Sequence, residues 1–312
     1  MAHSEHLANV MVERFIAAVQ NGLDLVPFVA DSTSTSKIKP FMEAYPDRIV
    51  NVGIAEQTMV GAAAGMALAG KVTATCNAAP FLVSRANEQV RIDVCYNKTN
   101  VKMFGLNAGM SYGPLASTHH AVDDISVMRG FGNVEIFAPS CPLEAKQIID
   151  YALHRQGPVY IRLDGKALPQ LHDESYAFVA GRIDMLRQGQ TVAVVALGST
   201  VHEAVEAGDR LAAEGCEISV IALPSIRPLD RQALAQALGD KTIVLTVEEH
   251  NINGGVGSIV AEVLSEQAIG ARLYRFGVPD GGYAIAGDRA ATRASLGIDA
   301  ASIVDNVKRL KP

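Results

Sequence analysis

The sequence predicts two doubly wound α/β domains in tandem, and three observations carry that prediction. Short apolar runs alternate with segments of helical spacing across residues 7–163, the pattern lapses over 164–190, and the same alternation resumes at 191. The boundaries that follow are a first domain over 1–165, a linker over 166–190 and a smaller second domain over 191–312.

Each element has its reason in the pattern. Residues 7–19 space their apolar side chains as a helix does, and 25–29 read as a strand that runs into the polar loop Asp31-Ser32-Thr33-Ser34-Thr35-Ser36. Strands at 49–52, 72–76, 101–106, 134–138 and 159–163 then alternate with helices at 55–69, 84–96, 121–129 and 142–154. Such alternation builds a mainly parallel sheet covered on both faces, with ligand sites outside the carboxyl ends of its strands. Residues 166–190 fill with charge, Gly and Pro, as linkers do. Beyond them, strands at 191–197, 217–223, 242–248 and 272–276 alternate with helices at 199–214, 230–238 and 257–266.

Composition narrows the partners. The chain has 312 residues, is 49% hydrophobic and carries no low-complexity tract, which is ample for two cores. Its formal charge of −6 comes from interspersed signs without a basic stripe, which argues against nucleic acid or a membrane and for small molecules or other proteins. Cys76, Cys95, Cys141 and Cys216 form no CxxC pair and are expected as buried thiols in a reducing compartment. No basic n-region precedes an apolar core at the N-terminus, so the expectation is a cytoplasmic protein. The most apolar stretch, 54–69, is rich in Ala and Gly and holds Glu56 and Gln57; it reads as a core helix, too weakly hydrophobic to span a bilayer.

Glu56 is the only charged residue between Arg48 and Lys71. A carboxylate in such an apolar wall is costly to desolvate without a partner, and a cofactor nitrogen is one partner that would justify it. The alternative is a carboxylate that simply suits the positive end of a helix in its first turn, and the local pattern leaves both open. Gly61, Gly65 and Gly70, with alanines between them, allow another helix or subunit to come close. In Thr118-His119-His120 a loop histidine can shuttle a proton or donate to a hydroxyl, or the pair can be two surface histidines; no ligand spacing nearby suggests a metal. Gly254-Gly255-Val256-Gly257-Ser258 could cradle a phosphate, but it lacks the Lys-Ser/Thr of a P-loop, and a tight turn that packs strand on helix is the better reading.

Five motifs taken together say more than any one alone. Gly53-Ile54-Ala55-Glu56-Gln57, Phe81-Leu82-Val83-Ser84-Arg85-Ala86-Asn87-Glu88-Gln89, Ala108-Gly109-Met110-Ser111, Thr118-His119-His120 and the stretch 124–129 resemble, in order and spacing, the pyrimidine-binding half of a transketolase. The resemblance extends through 191–312, so nearly the whole chain is similar to the C-terminal subunit of a split transketolase. It implies a thiamine-diphosphate pyrimidine-binding domain followed by a transketolase C-terminal-like domain, active in carbohydrate metabolism as a two-carbon ketol transferase.

By that resemblance Glu56 and His119 are the catalytic residues. Glu56 would hydrogen-bond N1′ of the aminopyrimidine, so that the cofactor's 4′-nitrogen can take the thiazolium C2 proton. Ile54, Phe81 or Leu82, and Arg85 would complete the cofactor seat, while Asp31, Thr35, Asn107, Leu115, His119 and Lys166 would border the sugar. Three positions depart from the family: Asn107 stands for a histidine, Leu115 for an acidic sugar contact, and Gly165 for a phosphate-binding arginine, with Lys166 beside it as a mobile cation. They imply an unusual ketose, such as the branched apulose 4-phosphate.

The chain holds no metal-binding Gly-Asp-Gly run with a downstream Asn, so Mg2+ or Ca2+ and the diphosphate would be held by a separate N-terminal diphosphate-binding subunit, in an α2β2 heterotetramer. Two rival readings remain. The β subunit of a 2-oxoacid dehydrogenase's decarboxylating component, or a deoxyxylulose-phosphate-synthase-like fragment, shares the carboxylate and layout but fits 105–118 and 124–129 less well. A non-catalytic scaffold subunit has no need of Glu56 and His119.

Overall fold

The computed structural model describes residues 4–283 and 285–311. The first domain contributes β1 (Ser4–His6), β2 (Leu25–Val29), β3 (Val50–Asn51), β4 (Val72–Ala78), β5 (Val101–Leu106), β6 (Glu135–Phe137), β7 (Val159–Arg162) and β8 (Ala167–Pro169). The second contributes β9 (Asp184–Arg187), β10 (Val192–Ala196), β11 (Ser219–Ala222), β12 (Ser225–Arg227), β13 (Ile243–Asn251) and β14 (Arg272–Val278).

The large sheet runs in the order β12-β6-β7-β5-β4-β2-β3, parallel from β6 to β3. Every residue of β2, β4, β5 and β7 is buried, as strands covered on both faces must be, and this is why they read as continuous apolar runs. The helices Leu7–Gln20 and Pro142–His154 pack on one face, and Glu56–Leu68 on the other. The second sheet has the order β14-β13-β10-β11-β9, with only β9 antiparallel.

Two features depart from the expected layout. The stretch 166–190, expected as a linker, carries two short strands: β8 pairs antiparallel with β1, and β9 edges the second sheet. Both are too short to show a period. It is also anchored by its side chains, since Glu144 accepts from Ser140 N and Oγ at 2.7 Å and meets His172 Nε2 at 2.7 Å. Moreover β12, from the second domain's sequence, pairs antiparallel with β6 at the edge of the first sheet, so the two domains share a strand edge. Among the described residues no helix is long and apolar enough to cross a membrane.

Candidate active site

The loops that leave the carboxyl ends of β2, β3, β4, β5 and β7 carry nearly all of the sequence-predicted site, where an open parallel sheet places its ligands. Asn51, at the end of β3, ties two of them together: its Oδ1 accepts from the backbone N–H of Asp31 at 3.1 Å and of Gly53 at 3.0 Å.

Glu56 opens the helix Glu56–Leu68 and is 2% exposed. Its carboxylate turns away from its own helix: Asn77 Nδ2, on β4, donates to Oε1 at 3.1 Å, and Arg85 Nη1 donates to Oε1 at 2.9 Å and Oε2 at 2.8 Å. Burying an unpaired carboxylate costs several kcal/mol, on the order of what a charge-assisted pair returns, so Arg85 explains how the subunit tolerates it. Yet Arg85 is itself 46% exposed, a partner on the edge of a cleft. Beside it Ile54 presents its side chain to solvent at 76% exposure.

Phe81 and Arg85 lie on a wide helical turn, Phe81–Arg85, closed by the bond from Ala86 N to Phe81 O. The helix expected over 84–96 thus begins three residues early, and its second part, Val90–Tyr96, is also wound wide. Extra residues per turn are common at functional sites and leave no mark in a 3.6-residue period. They put Phe81 on the cleft and send Leu82 into the core at 0% exposure. The Arg85 guanidinium lies 4.4 Å over the Phe81 ring while it donates to Glu56. A flat nitrogen donor stacked on an aromatic face and bonded to a buried carboxylate is the set of contacts an aminopyrimidine asks for, so this donor set fits the pyrimidine of thiamine diphosphate.

His119 closes the other side. Its ring meets Phe81 and Tyr112 edge-on, each at 5.2 Å between centroids, and its Nδ1 lies 2.8 Å from Thr118 Oγ1. The Thr118 hydroxyl donates to Leu115 O at 2.9 Å. Its one proton is therefore spent, so Nδ1–H is the donor of the pair and Nε2 is the acceptor nitrogen of the neutral ring. Tyr112 was not singled out from sequence, and Thr118 only as part of the Thr118-His119-His120 motif; their contacts emerge once the turn Gly113–Thr118 folds them against His119. His120 instead turns inward, 5% exposed with Nε2 3.0 Å from Gly113 O, and burial pushes its pKa down.

The sugar-facing candidates divide. Asp31 is exposed at φ +56°, Thr35 is half-buried in the short helix Thr33–Ser36, and Leu115 is 50% exposed. Asn107, at φ +51°, packs on Gly165: a Cβ at 165 would strike Asn107 Oδ1, come 2.8 Å from its Cγ and 3.0 Å from Ser111 Cβ. Two departures from the family pattern are therefore one structural feature. Lys166 is exposed and lines a different cavity of about 560 Å³ between the domains, with Arg289 and Arg293, so its side chain is not brought to the Phe81 cleft.

The glycine run 254–258 is a tight turn. Glu248 accepts from Val256 N at 2.7 Å and Gly257 N at 2.8 Å, and a Cβ on Gly255 would run into its carboxylate, so no phosphate has room at that helix end. Cys76, Cys95 and Cys141 are buried free thiols and Cys216 is half-buried; desolvation pushes Cys141 up to about 11.

Known proteins match this geometry. The transketolase pyrimidine-binding domain model matches residues 6–170 and the transketolase C-terminal domain model residues 181–303. An apulose-4-phosphate transketolase subunit from Actinobacillus succinogenes is 66% identical over 98% of both chains. A 6-deoxy-6-sulfo-D-fructose transketolase subunit from a Clostridium species is 32% identical over 88% of this chain and 86% of its own length. A split-gene transketolase solved as an inactive β4 tetramer superposes with a TM-score of 0.87 at 33% identity over 98% of both chains. The chain belongs to the transketolase family, and carries that family's pyrimidine-binding and C-terminal domains on one polypeptide.

Proposed function

We propose that this chain is the pyrimidine-holding subunit of a two-polypeptide transketolase whose ketose donor is apulose 4-phosphate. The observation that carries the donor assignment is Asn107 packed on Gly165. An arginine rising from position 165 would need the volume that Asn107 fills, so the channel offers a neutral amide where the family pattern has a guanidinium. The name borne by the relative at 66% identity supports the same donor.

Thiamine diphosphate, when bound, supplies the nucleophilic carbon and electron sink needed to break and remake a bond beside a carbonyl. The chain's own residues prepare it. Glu56, buried and held by Asn77, would keep a proton at the pyrimidine nitrogen in the place the half-exposed Arg85 guanidinium takes here. Phe81, on the cleft, would provide an apolar wall for the ring, and the exposed Ile54 side chain is the proposed second wall once a partner covers it. His119, through Nε2, would take and return a hydroxyl proton of the sugar.

The remaining parts come from a partner. Mg2+ or Ca2+ and the diphosphate are assigned to a separate N-terminal subunit, which would cover exposed apolar side chains such as Ile54, Leu68, Ile92 and Tyr96, in a cytoplasmic α2β2 particle. An inactive tetramer of β chains in a relative is what half a site would give. The donor test is kcat/KM of the assembled enzyme for two ketoses. Apulose 4-phosphate should exceed xylulose 5-phosphate at least about tenfold. A value for xylulose 5-phosphate as high or higher would overturn the donor assignment.

A further inference from the structure

Glu249 lies near the end of the buried run of β13 in the second domain, yet its carboxylate reaches into the first. Its Oε2 accepts from Met110 N at 2.9 Å, in the loop between β5 and His119. The fit is close: a Cβ on Gly109, at φ +65°, would lie 3.0 Å from Glu249 Cβ and strike its Oε2. Arg289 Nε and Nη2 each donate to this carboxylate at 2.8 Å, and Arg293 Nε donates to it as well. Arg289 then continues across the junction, where Nη1 donates to Asp164 Oδ1 at 2.9 Å and Nη2 to Oδ2.

Asp164 and Met110 belong to the two segments that meet at Asn107 and Gly165. Asp164 precedes Gly165, and its Oδ1 accepts from Lys166 N at 2.8 Å. Gly165 N donates to Ser111 Oγ at 3.1 Å, and Ser111 Oγ donates to Ala108 O at 2.6 Å. The second domain therefore grips both sides of this contact through one guanidinium and one carboxylate, each at least 88% buried as side chains. We propose that Glu249 and Arg289 are positioning residues for sugar binding: the second domain fixes the spacing between segments 107–111 and 164–166, and so the shape of the channel. This rests on the reading that Asn107 and Gly165 border the ketose.

The competing account is a buried ion cluster that only holds the domains together, and a second pair supplies the control. Arg129 Nη2 donates to Glu262 Oε1 at 2.9 Å and Oε2 at 2.8 Å, also between domains, and the pair's other hydrogen bonds go to Gly254, Arg227 and Arg231 rather than to segments 107–111 or 164–166. The experiment compares Arg289→Met and Glu262→Gln chains, each assembled with the diphosphate-binding subunit. Arg289→Met should raise KM for the ketose donor about tenfold while the half-saturating concentration of thiamine diphosphate stays within about twofold. Peptides spanning 107–120 should also exchange amide hydrogens faster. Glu262→Gln should change neither, whatever it does to Tm. Glu249→Gln keeps an acceptor for Met110 N and serves where Arg289→Met does not fold, with a smaller rise in KM expected. An Arg289→Met or Glu249→Gln enzyme with lowered Tm but unchanged KM and unchanged exchange at 107–120 would overturn the proposal. Loss of cofactor binding and KM together would instead count against the site reading itself.

Discussion

Glu56 and Glu249 are both carboxylates at 2% exposure, and they are buried in opposite ways. Glu249 is enclosed: Arg289 and Arg293, each 12% exposed, and the Met110 amide saturate it. Glu56 is covered from one side by Asn77 and met from the cleft by Arg85, whose own side chain is 46% exposed to solvent. A cluster sealed on all sides is suited to holding geometry, whereas a carboxylate with one displaceable partner is suited to handing its charge to a ligand. Burial alone would not tell them apart; the exposure of their partners does.

The two carboxylates should respond differently to substitution and to assembly. If the Glu56 cleft is half a site, the isolated chain should show no turnover above background, and adding the diphosphate-binding subunit should restore it; an assay of ketol transfer by each subunit alone and mixed decides this. Gly165→Arg forces a side chain into Asn107, and should cut kcat/KM for apulose 4-phosphate about a hundredfold. In the double variant with Asn107→Gly the clash is relieved, and preference should move toward xylulose 5-phosphate; additive losses in the four-way cycle would show that the two positions do not interact. Phe81→Ala removes the stacking face of the cleft and should raise half-saturation by thiamine diphosphate about tenfold, read from activity against cofactor concentration.

The smallest effect concerns the enclosed cluster. Burial opposes ionisation of Asp164 and Glu249, but Arg289, joined at Glu249 by Arg293, outweighs it and holds both below the usual carboxylate range. Unfolded, these groups titrate near about pH 4. The stability they supply is therefore complete above that value and is lost as pH falls through the lower folded values. Denaturant melts should show this contribution unchanged between about pH 7 and 5 and fading below about pH 4, and the fading should flatten in Arg289→Met.

Much of this was legible in the sequence, for identifiable reasons. Strands buried on both faces, such as Leu25–Val29 and Val72–Ala78, show as unbroken apolar runs, and Glu56 stood out because nothing else charged lies near it. What escaped were features fixed by distant contacts. The three-residue β8 and β12 exist only through pairing with β1 and β6. The wide turn at Phe81–Arg85 has no 3.6-residue signature, which left Phe81 and Leu82 undecided until one was seen on the cleft and the other in the core. Arg289 sits in a short helix among small residues, and its tie to Asp164 spans 125 positions of sequence. Asn107 and Gly165 were each visible as departures, but their contact was not.

One substitution at Glu56 separates a cofactor-binding carboxylate from a merely buried one. A Glu56→Gln chain keeps the shape of the site and a hydrogen-bonding head but cannot hold the proton in the same way. Reconstituted with the diphosphate-binding subunit at saturating thiamine diphosphate, it should assemble at the wild-type mass and lose ketol transfer by about a thousandfold. Assembly with activity within about twofold of the wild type would mean that Glu56 is only a buried helix-end carboxylate, and would contradict the account.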